Sequence, residues 1–455
     1  MAVVLGAAAM AAWLWAPPAQ AILVRTPETE TGAATAATSA PAARPLAGRL
    51  ATGPGTRSSL PGLWPCFRGA ALDGIAHDAP PLAGAWGATG PRTVWKIDLG
   101  EGHAGAAVAN GCAYVLDYDR DTQADAVRCL SLDDGREIWR FSYDVPIKRN
   151  HGMSRTVPAI SNGLVVTLGP KCHVACLDAN SGLLRWSMDL VRQFRTVVPP
   201  WYAGQCPLID GNRVILAPCG PAVLMLAADL QTGQILWKAP NPDGWSMTHT
   251  SIVPMDIAGR RAYVYSGSGG LAAVWADDGS PAWDFADWKV PIAAVATPVP
   301  LPGGRMLLSG GYNAGSMMIQ VVSEGGRLAV KTLWRLGPEE FGATQHTPIY
   351  CDGYIYNVRP SGELVCLSPE GKIVWASGGA SKFGIGPFMI ADGKILLVND
   401  SGVLTVAAAT PTGYKQLAQA RILEGHDSWG PMALAGGRLI LRDLTQMACV
   451  DLEKP

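Results

Sequence analysis

The chain has 455 residues, and its 36 basic against 37 acidic side chains give a formal net charge of −1. This balance leaves no basic excess to neutralise a phosphate backbone, which argues against nucleic acid as a partner. Hydrophobic residues make up 48% and charged residues 16% of the sequence, which also contains 53 glycines and 35 prolines. Such a composition argues against a disordered chain and against a fold of long helices.

The N-terminal segment predicts export. Residues 2–16 are apolar and carry no charge, and the small-x-small triplet Ala19-Gln20-Ala21 that follows is typical of a signal-peptidase site. We therefore interpret residues 1–21 as a signal peptide or an N-terminal membrane anchor, and we expect the protein in the periplasm or cell envelope. No cysteine precedes Cys66, so the lipid-modified cysteine of bacterial lipoproteins has no counterpart in this segment.

Residues 22–60 predict a flexible linker, because they are rich in alanine, threonine and proline and cannot bury enough surface to offset chain entropy. Residues 61–455 contain a repeat and are expected to form one domain.

A tryptophan recurs through this domain at intervals of 41 to 51 residues, the period of a propeller blade. The repeat consists of Trp95, Trp139, Trp186, Trp237, Trp283, Trp334 and Trp375. In five of the seven repeats a glycine lies four residues before the tryptophan, as Gly182 does before Trp186, and it predicts a tight turn with positive φ. We expect these tryptophans to pack between blades, with Trp186 and Trp237 largely buried.

Short β-branched or aromatic runs between proline and glycine markers predict about four strands in each repeat. Seven complete units follow from Ala106, and an eighth begins at Pro431 but lacks its last strand. The segment 93–99 (TVWKIDL) has a repeat tryptophan but no preceding strands, so we expect it to supply the missing strand beside residues 447–452. The sequence thus predicts an all-β, eight-bladed propeller of four-stranded antiparallel blades, closed by pairing of its N- and C-terminal strands.

The sequence resembles the PQQ-like, or quinoprotein-type, repeat family of eight-bladed propellers. The resemblance rests on the motif Ala-x-Asp-x-x-Thr-Gly-x-x-x-Trp, of which residues 227–237 (AADLQTGQILW) are a near copy. It also rests on residues 64–69 (WPCFRG) followed by Asp73-Gly74. The family includes quinoprotein dehydrogenases as well as outer-membrane assembly factors of the BamB type, so the resemblance implies a fold but not an activity.

Two features of the quinoprotein alcohol dehydrogenases are missing from the sequence. Those enzymes stack their cofactor against a disulfide of two adjacent cysteines, and some have a Cys-x-x-Cys-His haem site, but neither pattern occurs here. We therefore predict no catalytic residue, no metal ligand and no cofactor. PQQ with calcium stays the alternative, although no motif supports it.

The cysteines recur with the repeat. Four of them, Cys129, Cys176, Cys366 and Cys449, occupy one position of the repeat, which indicates a structural role as small buried residues. Cys112 and Cys129 flank a polar loop and would lie opposite each other in a symmetric hairpin, so both a disulfide and two free thiols are considered for this pair.

Histidines mark the entries to the innermost strands. Five of the seven precede such a strand: His103, His151, His249, His346 and His426. The same segments contain Arg155, Gln345, Asp427 and Trp429, so the nine residues predict a polar funnel at one mouth of the channel. Alternatively, these histidines are ordinary polar residues of exposed loops.

These observations favour an exported, non-catalytic and monomeric propeller that acts as a binding or scaffolding module in the cell envelope, with an envelope protein or a small ligand as its partner. The alternative is a PQQ-dependent dehydrogenase with a divergent cofactor pocket.

Overall fold

A computed structural model describes residues 46–87 and 89–454 of the chain. The predicted signal peptide or anchor, residues 1–21, and residues 22–45 of the predicted linker lie outside this part. The described residues form an eight-bladed β-propeller with antiparallel blades, which confirms the predicted fold class. In this part of the chain no helix is long and apolar enough to span a bilayer.

Three strands precede the blades in the sequence: β1 (Gly48–Thr52), β2 (Ile75–Ala76) and β3 (Arg92–Asp98). Blade 1 contains β4 (Ala107–Ala109), β5 (Cys112–Asp119), β6 (Ala124–Ser131) and β7 (Glu137–Asp144). Blade 2 contains β8 (Ala159–Ser161), β9 (Leu164–Leu168), β10 (His173–Asp178) and β11 (Leu184–Asp189), and the helix α1 (Leu190–Phe194) follows it. Blade 3 contains β12 (Leu208–Asp210), β13 (Arg213–Leu216), β14 (Val223–Asp229) and β15 (Ile235–Pro240). Blade 4 contains β16 (Val253–Ile257), β17 (Arg260–Gly267), β18 (Gly270–Trp275) and β19 (Pro281–Phe285).

The other four blades continue in chain order. Blade 5 contains β20 (Val299–Leu301), β21 (Arg305–Gly310), β22 (Gly315–Glu324) and β23 (Arg327–Leu336). Blade 6 contains β24 (Ile349–Cys351), β25 (Tyr354–Val358), β26 (Leu364–Leu367) and β27 (Ile373–Ala376). Blade 7 contains β28 (Phe388–Ala391), β29 (Lys394–Val398), β30 (Val403–Ala408) and β31 (Gln416–Arg421). Blade 8 contains β32 (Ala433–Ala435), β33 (Arg438–Arg442) and β34 (Gln446–Asp451).

The blades surround a central channel. The first strands of neighbouring blades contact one another, as β4 does with β8 and with β32. Inner strands such as β9 are buried throughout, whereas the outer strand β15 alternates between exposed and buried positions along its second half. The first and second strands are often joined by two-residue turns such as Asn162-Gly163, in which both residues adopt the positive φ that this hairpin requires.

The ring closes as the sequence predicts. β3 forms the outer strand of blade 8 and pairs antiparallel with β34, with Trp95 opposite Cys449. The observed pairing joins Arg92–Asp98 to Gln446–Asp451, within one residue of the predicted segments. Closure leaves no free edge between the first and the last blade.

The structure adds a fifth strand to blade 1, inside the predicted linker. β1 pairs antiparallel with β7, with Thr52 opposite Trp139, and Arg49 forms a 2.6 Å ion pair with Asp144. All residues of β1 are exposed, so the strand has no hydrophobic alternation by which its sequence could have revealed it. The blade sheet therefore begins before residue 61, the predicted start of the propeller.

Residues 64–75, which we call the plug, cross the channel. They contact the first strands of blades 1, 2, 6 and 7, or the residues just before those strands. On one side, Trp64 forms a bridge with Val108, and the backbone N–H of Ile160 donates to Pro65. On the other side, Arg68 donates to the carbonyls of Thr347 and Pro348, and Ile75 pairs with Ile390. The flanking residues Ser58 and Leu82 bond to turns between first and second strands. The plug therefore enters and leaves the channel at the end where these turns lie.

The repeat tryptophans connect successive blades. Six of them donate from Nε1 to a main-chain oxygen of the next blade: Trp95, Trp139, Trp186, Trp237, Trp334 and Trp375. In five of these six junctions the ring lies against the turn glycine of the next blade, and a Cβ on Gly182 would approach Trp139 to 2.6 Å. Trp237 is buried as predicted, whereas the prediction for Trp186 is wrong, since its ring is only half-buried.

The strand register explains the recurring cysteines. Each lies directly opposite a repeat tryptophan, in the pairs Cys129↔Trp139, Cys176↔Trp186, Cys366↔Trp375 and Cys449↔Trp95. A small side chain at this position leaves room for the indole ring. The expected register of Cys112 is wrong by two residues, because Cys112 lies opposite Ser131, and all ten cysteines are free thiols.

Candidate functional site

The two ends of the channel are built from different parts of the blades. The connections from each outer strand to the next blade, and the turns between second and third strands, lie at the end opposite the plug's entry, which we call the mouth. All nine predicted funnel residues lie in the connections at the mouth: His103, His151, Arg155, His249, Gln345, His346, His426, Asp427 and Trp429. The question is then which of these side chains the structure brings together.

Three rings form a cluster between blades 7, 8, 1 and 2. His103 stacks on Trp429 with a centroid distance of 5.3 Å, and His151 contacts the two rings edge-on at 6.3 and 5.5 Å. Trp429 is held by a 2.8 Å hydrogen bond from its Nε1 to Asp400, and the backbone N–H of His103 donates to Ser154. The cluster is thus fixed from both sides.

His103 is buried without a hydrogen-bond partner for its ring. Its exposed fraction is 6%, and neither ring nitrogen has a partner within the described residues. Burial, reinforced by the positive charges of Arg155 and Arg442, holds the pKa of His103 well below its usual range. At neutral pH the ring is therefore neutral, with the backbone of His151 near enough to act on its pKa but no hydrogen bond of normal geometry to either nitrogen within the described residues.

Arg155 lies beside this cluster. Its Nε donates to the carbonyl oxygen of Trp201, and its Nη2 donates to those of His151 and Gly152. Burial lowers the pKa of Arg155 to about 10, so the guanidinium stays charged at neutral pH. Within the described residues Arg155 forms no ion pair.

A second aromatic contact continues the site toward blade 4. The ring of His249 lies 6.3 Å from that of Trp201, and its buried Nδ1 has no hydrogen-bond partner in the described part of the chain. Burial and the charge of Arg155 lower the pKa of His249 to about 4. His103 and His249 therefore lie within electrostatic range of one cation, which supports treating them as parts of one site.

The remaining predicted residues are not in this cluster. The buried Nε2 of His346 has no partner among the described residues, and burial together with Arg68 of the plug lowers the pKa of His346 to about 4. Gln345 is half-buried beside it. His426 is exposed at the edge of the mouth and lies 3.2 Å from Asp427.

Two residues of the site escaped the sequence interpretation. Trp201 lies outside the tryptophan period, in the long connection between blades 2 and 3, and this deviation from the repeat could have identified it. Tyr312 lies in the turn between β21 and β22, where it has a positive φ of 52°. Nothing in its local sequence indicates that this turn, in blade 5, lies within electrostatic range of Arg155.

A buried acid supports the connection between blades 1 and 2. Asp125 is fully buried and accepts hydrogen bonds from Tyr143 at 2.7 Å and from Ser154 at 2.9 Å. Burial raises the pKa of Asp125 to about 7, despite these two hydrogen bonds. Because Ser154 immediately precedes Arg155, the Asp125 contacts help to fix the backbone that positions the guanidinium.

Within the described residues the mouth shows no ligand cluster for the calcium of a quinone cofactor. No group of three histidine, cysteine, aspartate or glutamate side chains within the described residues could hold a metal, whereas calcium takes six to eight oxygen ligands. Oδ1 of Asp400 accepts hydrogen bonds from Trp429 Nε1 and from the backbone N–H of Ile385. We therefore derive no step through calcium or PQQ.

Comparisons with known proteins agree with this architecture. A family model described as outer membrane protein assembly factor BamB matches residues 123–291. No curated protein matches the sequence. Among solved structures, quinohemoprotein alcohol dehydrogenase from Comamonas testosteroni is 13% identical with a TM-score of 0.59, and the match covers 86% of this chain and 81% of the enzyme. BamB from Moraxella catarrhalis is 15% identical with a TM-score of 0.53, and the match covers 79% of this chain and 99% of that protein.

At these identities the structural matches show a common fold only. They include an enzyme and an assembly factor with the same propeller, so they do not decide between the two functions. The chain is an eight-bladed propeller that is similar in fold to BamB and to a quinohemoprotein alcohol dehydrogenase, and its residues 123–291 match the BamB family model.

Proposed function

We propose that the chain is an exported, non-catalytic binding module of the cell envelope, and that its ligand or partner binds at the mouth. The observation that supports this proposal is a set of unused polar groups. Both ring nitrogens of His103, Nδ1 of His249 and Nε2 of His346 are buried without hydrogen-bond partners within the described residues. A fold leaves such groups unpaired at a cost of about 1 to 3 kcal/mol each, unless another molecule supplies the partner.

The shape of the channel supports the same end. The plug crosses the channel and is attached at the opposite end, which favours approach of a ligand to these histidines from the mouth. Loops on a rigid scaffold are the usual location of binding residues. The match of residues 123–291 to a model of outer-membrane assembly factors supports a role in the envelope.

A PQQ-dependent dehydrogenase is the competing function. The cation Arg155 and the ring of Trp429 favour it, since both would suit a flat anionic cofactor. Titration of the purified protein with PQQ and calcium, followed by a dye-linked alcohol or sugar assay, separates the two functions. We expect no saturable binding with turnover, and its appearance would contradict the non-catalytic proposal.

Site-specific photo-crosslinking in the native envelope tests the binding face. A photoreactive residue at His151 or His426, both exposed at the mouth, is compared with one at Gln231, which is exposed in the turn between β14 and β15 at the other end. We expect a defined adduct from the two mouth positions and none from Gln231. Adducts from Gln231 alone, or equal adducts from all three, would contradict the proposal.

A further inference from the structure

The buried arginines of the propeller differ in what neutralises them. Three have a pKa that burial lowers to about 10: Arg68, Arg155 and Arg442. The negative charge of Asp73 acts on the first, and those of Asp117 and Asp443 act on the last. For Arg155 the neighbours with a compensating effect are two phenols, Tyr312 and Tyr202, which are neutral near pH 7. Arg155 therefore keeps a positive charge without a carboxylate counterpart in the described part of the chain.

The guanidinium of Arg155 also has an unused end. Its Nε and Nη2 bond to backbone carbonyls, which fixes the plane of the group, but its Nη1 makes no hydrogen bond within the described residues. This nitrogen is not among the fully buried unpartnered polar atoms of the described residues, so it keeps some exposure. A rigid, accessible N–H pair on a cation is a strong donor for an anion.

The groups around Arg155 favour a ligand with a single negative charge. The lowered pKa values of His103 and His249 leave both imidazoles neutral near pH 7, so Arg155 supplies the local positive charge of this cluster. A single guanidinium balances a carboxylate, whereas a phosphate dianion would leave one charge uncompensated. The neutral histidines can add hydrogen bonds to such an anion through their unused ring nitrogens.

The walls of the site are aromatic. Trp429 packs beside His103 and Trp201 beside His249, and both histidines lie within electrostatic range of Arg155. Trp201 is itself linked to the arginine, because its carbonyl oxygen accepts from Arg155 Nε. Indole rings pack well against flat or ring-shaped groups, and a ring attached to the carboxylate would therefore be favoured.

We propose that the mouth binds a small ring-bearing carboxylate, such as a sugar acid or an aromatic acid, and that Arg155 Nη1 donates the hydrogen bonds that hold it. This inference rests on the proposed function, because it takes the mouth as the binding face. It adds the chemical class of the ligand and the residue that recognises it.

Isothermal titration with D-glucuronate and benzoate tests the inference, with D-glucose, benzyl alcohol and inorganic phosphate as matched probes. We expect at least one carboxylate to bind saturably and the two neutral probes and phosphate to bind at least about tenfold more weakly. Equal binding of the neutral probes or of phosphate would contradict recognition of a carboxylate. Failure of both carboxylates to bind would contradict it as well.

The variant Arg155→Gln should weaken carboxylate binding at least about tenfold, because it removes the charge and the Nη1 donor. Arg260→Gln is the matched control, since Arg260 stacks on Trp275 far along the blade and forms its ion pairs with Asp277 and Asp278. We expect this control to bind like the parent. Unchanged binding by a folded Arg155→Gln variant would overturn the assignment.

A readout on the parent protein covers the case in which Arg155→Gln does not fold. Phenylglyoxal modifies accessible guanidinium groups, and peptide mass spectrometry reports which arginine is modified. We expect D-glucuronate or benzoate, whichever binds, to protect Arg155 and to leave Arg260 unprotected. Absence of protection would contradict the inference, while crosslinking at His151 and His426 would still test the binding face independently.

Discussion

The rim of this propeller, where the repeat tryptophans of the outer strands meet the next blade, differs from the mouth in how its polar groups are used. At the rim, six repeat tryptophans donate to main-chain oxygens of the next blade, so the polar atom of each large ring has a partner. At the mouth, His103, His249 and His346 are left with buried nitrogens that have none in the described part of the chain. The rim therefore specifies the fold, and the mouth has unused capacity for a ligand.

One junction at the rim departs from this rule. The Nε1 of Trp283 is buried without a partner among the described residues, in contrast to Trp139, which bonds to Ala179. The blade that follows Trp283 is blade 5, whose β22 and β23 form a long hairpin with a turn at residues 324–327. In blade 5 this long hairpin replaces the short turn, such as residues 230–233 of blade 3, whose backbone accepts the indole hydrogen bond elsewhere. Blade 5 is thus joined to blade 4 by packing without the hydrogen bond.

Breaking the ring at its closure should have the largest effect. Deletion of residues 91–99 removes β3, exposes the edge of β34 and is expected to cause aggregation or loss of a cooperative melting transition. Deletion of 48–52 is the matched control, because β1 is an exposed fifth strand whose loss leaves four strands in blade 1. A closure deletion that melts like the control would contradict the role of β3.

Removing a rim tryptophan should have the next largest effect. Trp139 is 1% exposed and contacts the turn at Gly182, so Trp139→Ala is expected to cost about 3 to 5 kcal/mol in free energy of unfolding. Denaturant unfolding measures it. Replacing the half-buried Trp186 by alanine should lower the free energy of unfolding by less. Equal losses in the two variants would show that burial of the ring does not determine the size of the loss.

The buried carboxyl of Asp125, behind the mouth, predicts that the stability of the fold depends on pH. The pKa of Asp125 is about 7 in the folded protein, above its usual range, so its contribution to stability is fully present below about pH 4 and is lost as pH rises toward 7. We expect this loss to amount to about 2 kcal/mol between about pH 5 and pH 7. Asp125→Asn should remove that part of the slope, as measured by unfolding at each pH. A slope identical to the parent's would contradict the burial of a titrating carboxyl.

The smallest predicted effect separates the two kinds of rim junction. Trp139→Phe should lower the free energy of unfolding by about 1 kcal/mol more than the smaller ring alone would, because the hydrogen bond to Ala179 is lost. Trp283→Phe should lose less, since its Nε1 has no partner within the described residues. Equal losses in the two variants would show that the hydrogen bond does not distinguish these junctions.

The rim could be predicted from the sequence because its determinants are local and periodic. The strand units between the proline, glycine and tryptophan markers gave the number of blades, and the missing last strand of blade 8 predicted closure by residues 93–99. β1 was missed because an exposed strand has no hydrophobic alternation. The register of Cys112 was missed because the turn after β5 is centred one residue beyond the assumed position, which shifts the partner of Cys112 by two residues.

The mouth could be predicted only in part, because it depends on contacts between distant blades. The sequence showed that histidines precede inner strands, but it did not show that His103 is buried and stacked on Trp429. The plug had no periodic signal and was recognised only as a family motif. Contacts such as those of Arg68 with blade 6 depend on the closed ring.

The central claim is that the mouth is the binding face, and hydrogen–deuterium exchange of the propeller with and without its captured partner or ligand tests it most directly. We predict slower exchange in the mouth connections, residues 145–158, 195–207 and 422–432, on binding. The turns between first and second strands at the opposite end, such as Asn162-Gly163, should be unchanged. Protection confined to those turns, with the three mouth segments unchanged, would contradict the account.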